Sequence, residues 1–330
     1  MKKSLVITTI ANDQNPILKQ WAKEAKENDT NFILIGDKKS PVNFDLKDCD
    51  YYSADKQNLL GFELARVLPF NHYARKNIGY LLAMARGSEV IIESDDDNRP
   101  REGFWDEREK LITIENFYDA GWINVYDYFS DENIWARGFP LELVNTTNKA
   151  QMYCDELSCP IQQGLVNENP DVDAIYRMTG RLPITFYNEG SIALAGESYH
   201  PFNSQNTTWF KEAFPLLYIP YYCSFRMCDI WRSFVAQRIC QEYDWGVLYH
   251  GATVIQERND HNLMNDFRDE IPGYLNNVEI MEHLQALTLT KDIYENLKIC
   301  YKELFMIGIV EAGEMQLLST WINDIKEILK

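Results

Sequence analysis

Three short apolar runs alternate with helical segments over the first hundred residues, and this narrows the fold more than any other feature. Ser4 to Ile10 (SLVITTI), Asn31 to Ile35 (NFILI) and Glu89 to Glu93 (EVIIE) read as buried strands bounded by turn residues. Asn15-Pro16 offers an N-cap with proline at the first helical position, which predicts a helix to about Asn28. A second helix is predicted from about Tyr73 to Arg86, with Gly87 where a left-handed C-cap belongs. Strand–helix alternation of this kind predicts an α/β fold with a largely parallel sheet and helices on both faces. Ligands of such sheets bind at the carboxyl ends of the strands, where Thr8, Thr9, Asp37 and the run Ser94-Asp95-Asp96-Asp97-Asn98 fall.

Beyond the third strand the pattern loosens. Pro100 to about Pro220 reads as short strands and loops, suited to facing an acceptor. Asp229 to Glu242 then reads as a helix, and Gly246 to Tyr249 as a short strand. From Asn276 onward helical periodicity dominates, ending in the amphipathic stretch Met315 to Leu329. No repeat or linker interrupts the chain. The expected organisation is one domain over residues 1–275 with a helical extension, 276–330, packed on the same core.

Charge excludes several functions. The 330 residues carry 50 Asp and Glu against 32 Lys and Arg, a net charge of −18. That field repels nucleic-acid backbones and anionic membrane surfaces, so an anionic ligand needs a local basic pocket or a divalent cation. No apolar run reaches the ~18 residues of a membrane span. The stretch after Met1-Lys2-Lys3 is too short for a signal peptide and is expected to be the first strand. Seven cysteines, an odd number, fit reduced thiols and a cytoplasmic location. Cys154/Cys159 and Cys223/Cys228 have a spacing that zinc sites use, and that buried apolar thiols show equally.

The acidic triplet Asp95-Asp96-Asp97 is the sharpest chemical signal. Three adjacent carboxylates at a strand end repel one another, and a hard divalent cation shared with phosphate groups would compensate them. Arg75-Lys76-Asn77 opens a helix, where cations oppose the macrodipole, so a diphosphate clamped between helix start and metal is the functional expectation. Asp229 is either an N-cap or an acceptor-side carboxylate, acting as general base or as an orienting hydrogen-bond acceptor. Asp171 and Asp173 form a second acidic loop with the same ambiguity, and Asp173 is the second choice for the acceptor side. His250 and His261 are candidates for a third metal ligand.

Several blocks, in order along the chain, resemble the STELLO family of glycosyltransferases. They are Ala74 to Pro100 (ARKNIGYLLAMARGSEVIIESDDDNRP), Ile134 to Leu141 (IWARGFPL), Ser224 to Arg238 (SFRMCDIWRSFVAQR) and Gln256 to Phe267 (QERNDHNLMNDF). More distantly, the same blocks and Gln163 to Ile175 (QGLVNENPDVDAI) resemble the UDP-arabinopyranose mutases.

The resemblance implies a GT-A fold, a Rossmann-like sheet that binds a nucleotide-sugar and Mn²⁺ or Mg²⁺. It implies that Asp95 sits near the ribose or sugar and Asp97 on the metal. Thr8, Thr9 and Asp37 would surround the nucleoside, with Asp96 beside them and Arg75, Lys76 and Asn77 near the diphosphate. The implied activity is sugar transfer to the hydroxyl of a saccharide or lipid-linked glycan. In this reading Arg137, which matches the arginine of the mutases' Arg-Gly-Tyr-Pro block, contacts the donor sugar or its phosphates. Where the mutases carry a second arginine, this chain has Val144. A mutase working through Arg137 and a non-catalytic nucleotide-sugar-binding subunit are the alternatives.

Overall fold

The computed structural model describes residues 1–41, 43–146, 150–187, 190–258 and 262–330. The first half runs β1 (Lys3–Thr9), α1 (Pro16–Glu27), β2 (Thr30–Gly36), β3 (Asp50–Tyr52), α2 (Ala54–Asn58), α3 (Glu63–Val67), α4 (Lys76–Ala85), β4 (Val90–Ser94) and β5 (Asn98–Pro100). Next come β6 (Leu111–Tyr118), β7 (Gly121–Trp122), α5 (Tyr126–Phe129), β8 (Met152–Asn167), α6 (Ala174–Thr179), β9 (Ser191–Ala195), β10 (Ser198–Tyr199) and β11 (Asn206–Phe210). The chain closes with α7 (Cys228–Gln241), β12 (Trp245–Gln256), α8 (Leu263–Gln285), α9 (Ile293–Met306) and α10 (Gly313–Ile328).

The local signals in the first hundred residues act as their chemistry requires. Asn15 Oδ1 accepts from Ile17 N and Leu18 N at 2.8 and 3.1 Å, so two of the orphan donors of α1 are satisfied ahead of Pro16. A 3₁₀ turn at Tyr73–Arg75 leads into α4, and Gly87 beyond its end has φ +74°, the conformation only glycine adopts freely. The α/β class is the one expected, but the sheet is less parallel than the alternation suggests. The strands run β3-β2-β1-β4-β11-β8-β6-β9-β12-β5; the first four of that order are mutually parallel, and beyond them parallel pairs (β6 with β9, β8 with β12) mix with antiparallel ones.

At β11 the sheet turns antiparallel. β8 then pairs with both β6 and β12, and β9 joins those two, which closes a ring of four strands. β8 is a 16-residue strand inside a region that reads as irregular. Pro160, Gly164 and the pair Gln162-Gln163 disguise it, because each is unfavourable in an isolated strand. Tertiary contacts compensate: Gln162 donates to Glu109 O at 2.8 Å and Gln163 to Asn206 O at 3.1 Å. β12 likewise extends well past Tyr249. Cys154 and Cys159 lie five positions apart in β8, on opposite faces, so they cannot share an ion.

The C-terminal helices share the main apolar core. Ile280, Leu284, Leu297, Leu304, Leu318 and Trp321 are buried in the same cluster as Val6 and Ile91 of the sheet. The expected division at residue 275 falls inside α8. None of the helices among the described residues is long and apolar enough to cross a membrane.

α7 runs through the interior, buried from Cys228 to Cys240. Its Arg232 donates to both carboxylate oxygens of Glu93 on β4, at 2.9 and 3.1 Å, with both side chains at 0–1% exposure. Tyr80 of α4 and Trp209 of β11 also donate to Glu93, the indole at 2.8 Å. Removing one partner of such a pair strands a buried charge. Arg232→Met is expected to cost about 3–5 kcal/mol of stability in urea unfolding. Combining it with Glu93→Leu, which removes the orphaned charge, is expected to recover part of that loss.

Candidate active site at the carboxyl ends of the parallel strands

A cavity of about 380 Å³ opens where β1, β2 and β4 end, within the range of small-molecule sites. Thr8, Thr9, Asp37, Arg75, Asp95, Asp96, Asp97, Arg137 and Asp229 border it, as does Asp171. These residues come from seven separate stretches of chain. Their roles depend on which of their atoms are already engaged.

The triplet splits by partner. Asp95 Oδ1 accepts from Tyr73 OH at 2.6 Å and Lys76 Nζ at 3.2 Å. Asp96 accepts from Thr9 Oγ1 at 2.5 Å, and burial raises its carboxyl above the usual range. Both oxygens of Asp97 face Gln256 Nε2, at 3.2 and 3.3 Å. Asp37 is largely committed to the backbone, accepting from Lys38 N, Asn71 N and His72 N at 2.6, 2.8 and 3.1 Å. It therefore shapes the wall that carries His72 as much as it faces the cavity.

The basic helix start has a different purpose from the one its sequence suggests. Arg75 is 1% exposed and donates to Gln57 Oε1 (2.6 and 3.0 Å), Leu68 O (2.8 Å) and Ala65 O (3.3 Å). Its charge holds the α2–α3 segment against α4 while the side chain also borders the cavity. Asn77 pairs reciprocally with Ile219 N and O at 2.9 and 2.8 Å and does not border the cavity. Lys76, fully buried, reaches Tyr73 OH, Ser94 O, Ser204 O and Asp95 within 3.2 Å. Its ammonium compensates the first carboxylate of the triplet from behind. Buried carbonyls and one carboxylate thus replace the phosphate as the reason for cations at this helix start.

On the opposite wall, Arg137 lies between Asp171 and Asp229. Asp229 is not an N-cap: Met227 holds that position, and Asp229 stands in the first turn of α7, where a negative charge suits the helix dipole. Burial alone would raise its carboxyl, but the Arg137 guanidinium holds it below the usual carboxylate range. A carboxylate so weakly basic takes protons poorly near neutrality, which favours the orienting role over the general base. Gly138 permits this approach: a Cβ there would lie 2.4 Å from Ile230 at the start of α7. A chain of hydroxyls joins the two acidic groups. Ser204 Oγ lies 2.7 Å from Tyr73 OH and 3.4 Å from Asp229 Oδ2, and Tyr73 donates to Asp95.

Besides Asn77, two expected site residues lie elsewhere. Asp173 is the cap instead, its Oδ1 accepting from Tyr176 N and its Oδ2 from Trp135 Nε1, both at 2.7 Å, away from the cavity. His250 is buried in mid-strand with Nδ1 2.9 Å from Gly251 O, and does not border the cavity. Because β12 continues past it, Gln256 is the residue of that strand that meets Asp97. His261 lies outside the described residues. Among the described residues no group of three or more His, Cys, Asp or Glu side chains is arranged to hold an ion. Any cation here would complete its shell with substrate oxygens and water.

Four cavity residues were not singled out from the sequence. Tyr73 opens the 3₁₀ turn, Ser204 follows β10, and Arg226 and Arg258 flank α7 and β12. The last two fall within the quoted blocks SFRMCDIWRSFVAQR and QERNDHNLMNDF, so that signal was present. Arg226 pairs with Glu270 at 2.8 Å and Arg258 with Asp266 at 2.8 Å. Burial and the neighbouring Arg226 lower the affinity of Arg258 for its proton, the signature of cations gathered in one place.

Comparison with known proteins agrees with the resemblance read from the sequence. Residues 226–329, from the cavity edge at Arg226 to the end of α10, match a family model described as STELLO glycosyltransferases. The chain is 27% identical over 317 residues to an Arabidopsis thaliana protein named "Probable glycosyltransferase STELLO2". It is 25% identical over 315 residues to "Probable glycosyltransferase STELLO1" of the same plant. Each alignment covers 89% of this chain but only 41% of the plant protein, so the chain spans under half their length. The resemblance to the STELLO family holds on these matches.

Solved structures resemble it more loosely. A mycobacterial protein superposes with a TM-score of 0.43 at 8% identity, over 84% of this chain and 74% of that one. A mannosyltransferase from Pyrobaculum calidifontis, solved with GDP-Man and Mn²⁺, gives 0.36 at 8% identity, over 99% and 75%.

Asp173 provides a test of the assigned geometry. Burial raises its carboxyl to about 6, against the hydrogen bonds from Tyr176 and Trp135 that lower it. The folded chain therefore binds this proton more tightly than the unfolded chain, whose Asp titrates near ~3.9. On this account stability falls as pH rises from about 4 to about 6, and is flat outside that window. The melting temperature of Asp173→Asn, compared with the parent across that range, is expected to lose this component of the slope.

Proposed function

We propose that the chain is a divalent-metal-dependent glycosyltransferase that moves a sugar from a nucleoside-diphosphate donor to an acceptor hydroxyl. The observation that carries this reading is the Asp95–Asp97 triplet facing a ligand-sized cavity at the ends of parallel strands. The family resemblance to glycosyltransferases supports it independently. The GT-A assignment rests on the same two supports.

The donor set suits a hard cation. Carboxylate oxygens with open space for phosphate oxygens are what Mg²⁺ and Mn²⁺ use. Asp97 would hold the ion, with Asp95 beside it and Gln256 and Lys76 fixing the two carboxylates from behind. Such an ion neutralises charge developing on a leaving diphosphate. Arg226 and Arg258 offer the same service from the chain itself, as preorganised cations at the cavity wall. Thr8, Thr9 and the wall held by Asp37 would face the nucleoside.

The acceptor is read as a saccharide or lipid-linked glycan, with Asp229 on its side of the cavity. The net charge of −18 disfavours nucleic acid as a partner. A cytoplasmic location belongs to the same reading and is supported by seven free thiols. Calorimetric titration with UDP and GDP is expected to give binding that strengthens with Mn²⁺ and weakens with EDTA. In Asp97→Asn the Mn²⁺-dependent part is expected to fall by about tenfold or more, some 1.4 kcal/mol, with the fold intact by circular dichroism. Equal affinity in parent and variant, with and without EDTA, would sink the metal role.

A further inference from the structure

Every N–H donor of Arg137 is spent inside the protein. Nε donates to Asp171 Oδ1 at 2.9 Å. One terminal nitrogen donates to Asp171 Oδ2 at 2.7 Å and Asp229 Oδ2 at 3.0 Å. The other donates to Asp229 Oδ1 at 3.0 Å and to the carbonyl of Arg226. A guanidinium has five N–H bonds and no lone pair to offer. With all five engaged, it has nothing left for a phosphate or a sugar.

The carboxylates are in the opposite state. An ionised carboxylate has about four lone-pair sites, and the Arg137 fork takes only some of them on Asp171 and Asp229. Asn203 Nδ2 holds Asp171 Oδ2 at 2.9 Å, and both carboxylates border the cavity. Asp171 and Asp229 share one directly bonded guanidinium, that of Arg137, so two carboxylates meet a single cation in the clamp. A purely structural pair has no need of the surplus acid, which costs desolvation at a nearly buried site. A neutral ligand rich in hydroxyl donors matches it, whereas a diphosphate is repelled by it.

The geometry points to Arg137 as a positioning residue that clamps Asp171 and Asp229 into a two-carboxylate cradle for the hydroxyls of the acceptor. This rests on the transferase reading and adds Asp171 to the site. It also separates Arg137 from the donor: the arginine neither contacts the nucleotide-sugar nor carries its sugar.

The test uses the whole chain with Mn²⁺. UDP and GDP affinities are measured by calorimetry, and diphosphate release from a panel of UDP- and GDP-sugars, with mono- and disaccharides supplying the acceptor hydroxyl, is followed in Arg137→Lys, Arg137→Ala and Asp171→Asn. The expected result is nucleoside-diphosphate affinity within about threefold of the parent, 0.7 kcal/mol. Release is expected to slow by roughly 100-fold, the scale of a misplaced reactant, without a rise in donor KM. Added guanidinium should restore part of the rate in Arg137→Ala, which loss of a purely structural salt bridge would not predict. Asp171→Asn keeps the test decisive if the arginine variants fail to fold. A tenfold or greater loss of diphosphate affinity, an unchanged rate, or a sugar adduct on Arg137 by intact mass overturns the proposal. A parent chain that binds neither diphosphate, or releases none from the panel, overturns the transferase reading itself before any variant is compared.

Discussion

The buried pair of Glu93 and Arg232 fixes the rest of the site. Glu93 lies two residues before the triplet on β4, and Arg232 lies one turn after Asp229 on α7. With donors from Tyr80 and Trp209 also converging on Glu93, α4, α7 and β11 are referenced to a single carboxylate. A desolvated ion pair tolerates little displacement, because its Coulomb energy must offset the loss of hydration of both groups. The spacing between Asp95–Asp97 and Asp229 is therefore set by a contact that lies below the cavity floor.

The walls are held by a second set of carboxylates, from the C-terminal helices. Glu314 of α10 accepts from Tyr221 N and Tyr222 N at 3.0 and 2.6 Å, fixing the segment that leads to Arg226. Asp324 accepts from Glu63 N and Leu64 N at 2.9 and 2.8 Å, capping α3, whose carbonyls with Leu68 O hold Arg75. Asp324, far along the chain, thus supplies a cap that the local sequence lacks: Phe62, at the start of α3, makes no side-chain cap bond. The helical extension belongs to the architecture of the cavity.

Electrostatically the cavity is divided. Lys76 pairs with the first carboxylate of the triplet, and the proposed partner of the rest is a metal ion with an anionic substrate. Across the hydroxyl chain of Tyr73 and Ser204 lies the Arg137 clamp, where excess carboxylate faces outward. Nucleotide-sugar and sugar acceptor differ in just this respect, the first carrying anionic phosphates and the second neutral hydroxyls. An acidic protein binds an anionic donor only if compensation is local, which the Arg226–Arg258 wall and a divalent ion would provide.

The sequence by itself determined what short-range chemistry determines. Apolar periodicity located β1, β2 and β4, Asn15-Pro16 located the start of α1, and Gly87 the end of α4. The position of Asp95–Asp97 at a strand end followed from these. What each polar group does was decided only by the tertiary structure, because a carboxylate or guanidinium has no intrinsic partner. Asp173 and Asp229 look alike in sequence, yet one caps a helix and accepts from Trp135 while the other faces the cavity. Arg75 has the spacing of a phosphate ligand and is consumed by Gln57 and carbonyls of distant segments. β8 and the full length of β12 were hidden for a related reason: their Pro, Gly and Gln residues are stable in strands only when neighbouring chain supplies the hydrogen bonds. Local propensity is written residue by residue, whereas partner choice depends on which distant atoms arrive within 3 Å, and that is settled by the folded chain alone.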